Sequence, residues 1–187
     1  MIREIIFDYE VHFPTKNLEK NGEILTSFIV TKLLNQLSRY RACKCGYLLA
    51  VTKLVSIGHG HNKSSPHCTC FPVEFRCRTF IPVNGEIFTG VVKHVLERGV
   101  FLKSGPMNIV YLSSLKMPNF NYVSDKIEKL VFMRDDLSKI EVGVVVRFVV
   151  FAVKWVEDRQ REFRVLASID GDGLGPVSSN GLDELDL

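Results

Sequence analysis

Two sets of residues in this chain have types and spacings that could do chemistry. The first is a run of thiols and imidazoles: Cys43 and Cys45, then Cys68 and Cys70, with His59, His61 and His67 between them. Four such ligands can hold zinc tetrahedrally, although both cysteine pairs are C-x-C and structural zinc sites favour C-x₂₋₄-C. If segments 46–57 and 71–81 form a hairpin, the two pairs could meet at one end; otherwise they are free thiols, buried or incidental. The second set lies in "GEIFTGVVKHVLERGVFLKSGPMNIVYLSSL", residues 85–115, where Phe101 and Tyr111 are accompanied by Lys93, His94, Arg98 and Lys103. Aromatic rings stack single-stranded bases at ~1–3 kcal/mol per base while cations track the phosphates. Arg147 joins this set because it alternates with Val146 and Phe148 on an otherwise apolar strand, so its charge should point outward. The alternative is that Phe101 and Tyr111 are core residues and the cations merely solvated.

Catalytic patterns are missing. The chain has no G-x-S-x-G, Walker loop or H-E-x-x-H. The "DGDGLG" at 170–175 resembles a calcium loop, but the twelfth position from Asp170 is Gly181, where a glutamate is required. A cysteine of the polar loop paired with a histidine would lack an orienting group. A non-catalytic protein without a cofactor is expected.

Composition bounds the rest. The chain has 187 residues, of which 46% are hydrophobic and 24% charged, as in a globular protein. Charges interrupt the apolar run "MIREIIFDYEVHF", unlike a secretory signal, and no stretch approaches the ~18 apolar residues of a membrane span. A soluble intracellular protein is expected, and five cysteines in a reducing compartment argue against a disulfide framework. Residues 1–84 carry 11 Lys+Arg against 6 Asp+Glu, residues 85–169 carry 13 against 10, and the last 18 carry 5 acids and no base. A basic body with an acidic tail suits a polyanion or an acidic protein surface without requiring either.

The elements that would position these residues can be read from periodicity. Residues 3–13 form a β-rich run ending at Pro14. In 23–41, apolar residues recur at three and four, predicting an amphipathic helix of about five turns with Asn21 as candidate cap. Residues 46–57 return to β-branched types, and Val73, Phe75, Cys77 and Thr79 alternate with Glu74, Arg76, Arg78 and Phe80. Residues 1–84 therefore read strand–helix–strand–strand, an α+β unit with its helix on one face of an antiparallel sheet. Residues 85–177 supply five strands with one long connection at 116–140, predicting a closed β-barrel of the OB-fold type. Residues 178–187 form an acidic flexible tail. Val92 and Val95 are three apart, so both can face inward only if a bulge intervenes near Lys93–His94.

The quoted stretch resembles the opening three strands of the S-one type OB barrel, an RNA-binding module. Gly99–Val100–Phe101 matches that family's G-x-F turn, Tyr111 falls on its third-strand aromatic and His94 on its first-strand polar position. Arg98 stands where a second aromatic is common. More widely, "NGEIFTGVV", "FLKSGP", "YLSSLKMP", "VRFVV" and "ASIDGDGLGP" resemble the seventh-subunit (stalk) family of DNA-directed RNA polymerases, nearest the version in plant polymerases IV and V. The resemblance covers residues 1 to about 177. It implies a truncated RNP-like tip domain whose Gly58–His59–Gly60 segment docks on polymerase core subunits, and a fourth-subunit partner paired along the chain. It further implies a barrel touching nascent single-stranded RNA, a nuclear location, and service in RNA-directed DNA methylation and gene silencing. The 61–70 loop, with its His and Cys residues, departs from the family.

Overall fold

The computed structural model describes residues 1–14, 26–37, 42–62, 68–124, 130–157 and 161–177. Asn21, His67 and the acidic tail fall outside them. The chain divides into two compact units, Met1–Ile81 and Pro82–Leu187.

In the first unit, β1 (Ile2–Pro14) and β3 (Gly46–Ile57) lie antiparallel on either side of β5 (Cys68–Phe80). Short β2 (Ala42–Cys43) pairs with β3, and β4 (His61–Asn62) pairs with β5. The expected alternation holds: Val73, Phe75 and Cys77 turn inward with Val11 and Phe13, and Phe7 stacks on Phe75 with ring centroids 5.7 Å apart. Helix α1 (Thr26–Leu37) covers this face with Ile29 and Leu33. Each such side chain contributes roughly 1.5–3 kcal/mol on burial. The described helix is three turns long; the rest of the span expected at 23–41 lies outside the described residues. The opposite face is charged, with Arg76 and Arg78 reaching Glu4 at 3.8 and 4.0 Å. Exposed pairs of this kind contribute little.

In the second unit, β6 (Ile87–Leu96) pairs with β7 (Gly99–Ser104), and β7 with β8 (Met107–Ser113). Strand β8 pairs in parallel with β13 (Glu162–Ser168), β13 pairs with β12 (Val145–Val156), and β12 returns to β6. The pairings close on themselves, a ring of five strands around Val92, Leu102, Val110, Leu112, Phe148 and Val165. Closure satisfies edges that would otherwise invite another strand. The register of β6 against β7 slips between Val92 and His94, which makes Lys93 the extra residue. That bulge turns both Val92 and Val95 inward, as their spacing required.

The connection at 116–140 is more than a loop. A turn of 3₁₀ helix at Ser114–Lys116 leads to a three-stranded sheet of β9 (Asn121–Ser124), β10 (Leu130–Met133) and β11 (Lys139–Ile140), with Phe132 and Ile140 buried. The chain leaves through β14 (Gly175–Pro176), paired with β12.

Candidate functional site

The barrel's outer face carries the second residue set. Along β7, Val100, Leu102 and Ser104 are buried while Phe101 is half-buried and Lys103 exposed; along β8, Tyr111 is half-buried between buried Val110 and Leu112. Phe101 and Tyr111 therefore point outward, on the phase opposite to the core. They are direct cross-strand neighbours, with ring centroids 5.1 Å apart at 42°. His94, exposed, pairs with Phe101 from β6, so His94, Phe101 and Tyr111 form one row across three strands.

Local chemistry holds this row in place. The Tyr111 hydroxyl donates to the Arg98 carbonyl at 2.7 Å, which fixes the ring against the β6–β7 turn. Gly99 sits beneath it at φ +149°, where a Cβ would stand 2.3 Å from the Leu112 carbonyl oxygen and 3.1 Å from the Tyr111 ring. Only glycine fits, and this is the physical reason for the glycine of G-x-F. Lys103 lies two residues along β7 from Phe101 on the same face, and Lys93 is exposed at the bulge. Among the described residues, Lys93, Arg98, Lys103 and Arg147 make no ion pair. Arg147 stands apart: it is exposed on β12 opposite Thr89, with β6 between it and Lys103.

Two features beside the row escaped sequence reading. An open cleft of about 580 Å³ is lined by His94, Val95, Leu96, Phe101, Leu130, Glu141 and Val142. A register slip between Val150 and Ala152 leaves Phe151 half exposed, with the Lys116 ammonium 3.7 Å from its ring centre. The signal for Phe151 was the apolar run Phe148–Val153 within β12, where strict alternation is not visible.

The four-cysteine arrangement is not formed. Cys43 pairs with Gly46 beside Tyr47, and Tyr47 pairs with Phe80, so Cys43 lies at one end of β5 and Cys68 at the other. Twelve residues of strand, roughly 40 Å, separate those ends. In a hairpin, residues preceding the first strand meet those following the second, not those preceding it. Burial pushes the Cys43 and Cys77 thiols up. The cysteines that do gather are Cys68 and Cys70, with His12 of β1.

The Gly58–His59–Gly60 segment has a packing role. Gly58 donates its N–H to the Pro72 carbonyl at 2.8 Å, and a Cβ there would lie 2.5 Å from the Pro72 ring. A Cβ on Gly60 would lie 2.7 Å from the Phe71 ring. His59 between them is exposed.

No family model matches the chain. Its relatives in Arabidopsis thaliana are nevertheless close to full length on both sides. A DNA-directed RNA polymerase subunit 7-like protein is 42% identical over 98% of this chain and 98% of its own. DNA-directed RNA polymerase V subunit 7 is 40% identical over 95% and 99%, and polymerase IV subunit 7 is 41% identical over 94% and 99%. Counterparts from polymerase II are more distant. Among solved structures, an exosome complex RNA-binding protein overlaps 53% of this chain and 49% of its own at 20% identity and a TM-score of 0.35. The chain belongs to the subunit 7 family of DNA-directed RNA polymerases, on the side of polymerases IV and V.

Proposed function

We propose that this chain is a non-catalytic, nuclear stalk subunit that contacts nascent single-stranded RNA through the outer face of its barrel. The observation that carries the reading is the row His94–Phe101–Tyr111, two adjacent aromatics facing outward beside unpaired cations. The five-strand closure with its one parallel pair supports an OB-type barrel, which binds single strands on such a face. Lys93, Arg98 and Lys103 would neutralise phosphates near the rings, with Arg147 an outlying contact.

Attachment to the polymerase core and to a fourth-subunit partner is proposed for the first unit. Helix α1 leaves Phe28 63% and Leu34 46% exposed, apolar surface that a partner would cover. His59, exposed between two packed glycines, is the side chain of its segment free to reach a core subunit. RNA-directed DNA methylation is proposed as the process it serves; its kinship with the subunits of polymerases IV and V supports a place in one of those enzymes.

A second reading has its own observation. The cleft beside His94 is mostly apolar and contains Glu141, a lining that suits a peptide better than an anionic strand. One experiment separates the two: salt titration of single-stranded RNA binding, using the chain co-expressed with its fourth-subunit partner. For RNA on this face, log affinity falls with log salt at about −0.7 per neutralised phosphate. Phe101→Ala with Tyr111→Ala then loses ~2 kcal/mol or more. Binding indifferent to both substitutions would leave the barrel as a protein-docking element.

A further inference from the structure

At the far end of the first unit's sheet, on the face opposite α1, His12, Cys68 and Cys70 hold one ligand atom each within 4.8 Å of one another. The arrangement follows from strand register. Residues two apart on a strand share a face, so Cys68 and Cys70 point the same way. His12 is the direct cross-strand partner of Cys70 on β1, and its Nδ1 lies 3.0 Å from the Cys70 sulfur. His61 is the direct partner of Cys70 on the other side, from β4. Directly opposed residues share a face, so the row His12–Cys70–His61 spans three strands, with Cys68 beside it.

We propose that these four residues, His12, Cys68, Cys70 and His61, form a zinc site that staples β1 and β4 to β5. Two thiolates and two imidazoles are a structural-zinc donor set, and zinc–ligand bonds of about 2.0–2.3 Å put tetrahedral ligand atoms about 3.4–3.8 Å apart. His12, Cys68 and Cys70, within 4.8 Å of one another, need shifts of a fraction of an ångström to about one. His61, outside that group but exposed and opposite Cys70 in register, joins by rotating its side chain. On binding, Cys68 and Cys70 release their thiol protons to solvent, and the two thiolates balance the dication, leaving a neutral centre. That neutrality suits Cys70, which is 1% exposed on the otherwise charged face of the sheet. The site is independent of the RNA reading and uses none of its residues.

The test is metal analysis of the full-length chain purified from zinc-supplemented cells, with X-ray absorption at the zinc edge. The expected result is about one zinc per chain, bound by two sulfur and two nitrogen atoms. Cobalt put in its place should show the thiolate charge-transfer and visible bands of a tetrahedral site. Loss of a supporting residue around a metal weakens binding about 10–100-fold, so Cys68→Ser, a ligand, should cost at least that much. Cys43→Ser with Cys45→Ser should leave content and spectrum unchanged. A zinc-saturated wild-type chain holding no metal, or metal bound without sulfur, would overturn the proposal and reduce the cluster to a thiol–imidazole hydrogen bond. Metal lost in the Cys43/Cys45 variant would overturn it equally. The wild-type spectrum decides the matter even if a variant fails to fold.

Discussion

The two units solve the same problem, a β-sheet with one face to bury, in opposite ways. The first leaves its sheet open and covers one face with a helix, so Val11, Phe75 and Cys77 pack against Ile29 and Leu33 while Glu4, Arg76 and Arg78 face solvent. The second closes the sheet on itself, so its core is the inside of the ring, and alternate residues such as Phe101, Lys103 and Tyr111 face outward. Chemistry follows that difference. In the open sheet, reactive side chains gather at one end, where strands of unequal length bring His12, Cys70 and His61 into register. In the closed ring they form a row across its outer wall, His94 to Tyr111. An open sheet offers an end and a ring offers a wall; a compact ion suits the first and a polymer the second.

The strongest test of this comparison is whether both interiors are equally tight. Phe75 and Phe148 are each about fully buried, and truncating either to alanine should cost ~3–5 kcal/mol. The sole tryptophan, Trp155, lies in β12 and reports on the second unit. In denaturant, Phe148→Ala should therefore shift the Trp155 fluorescence transition, and Phe75→Ala should register in far-ultraviolet circular dichroism. If Phe75→Ala costs under ~1 kcal/mol, the helix-covered core is loose and the comparison fails at its base.

A smaller effect bears on the Gly58–His59–Gly60 segment. An alanine at position 58 would place Cβ 2.5 Å from the Pro72 ring, and one at position 60 would place it 2.7 Å from the Phe71 ring. Overpacking of this kind costs ~1–3 kcal/mol, with Gly58→Ala the worse because a proline ring on a strand yields little. His59→Ala should leave the melting temperature unchanged. If it weakens recovery of the chain with polymerase core subunits, packing by the glycines and docking by the histidine are separable roles of one segment.

How much was legible depended on how local the signal was. Alternation over Val73–Thr79 predicted the buried and exposed faces of β5, although Phe80, on the exposed phase, is buried beside Tyr47. Three-residue spacing of Val92 and Val95 predicted the bulge at Lys93. Both are properties of a few consecutive residues. The strands within 116–140 were not legible because β11 has two residues and β9 four, too few for a period to emerge. His12 went unread as a ligand because it lies 58 residues from Cys70, and only the β1–β5 register joins them. Its place on the solvent phase of β1, alternating with Val11 and Phe13, was the available sign. Pairing Cys43 and Cys45 with Cys68 and Cys70 failed for the same reason in reverse. Those pairs look adjacent in sequence pattern, but the hairpin carries them to opposite ends.

The smallest expected effect is the most informative about the wall. Lys103 lies two residues from Phe101, about 7 Å along β7, whereas Arg147 is roughly 16 Å from Phe101 by register, across β6. A short RNA centred on the aromatic row should therefore reach Lys103 and miss Arg147. With an oligomer of a few nucleotides, Lys103→Ala should lower the salt slope by about 0.7, the value for one phosphate on a single strand, and Arg147→Ala should leave it unchanged. With a longer strand, both substitutions should lower it. A slope that responds to Arg147 with the short oligomer would move the binding path off the row and onto β6 and β12. A slope that responds to neither, while the aromatic double variant still loses affinity, would make binding a matter of stacking alone. In that case the cations of the wall serve solubility, and the ring's advantage over the open sheet reduces to its two outward rings.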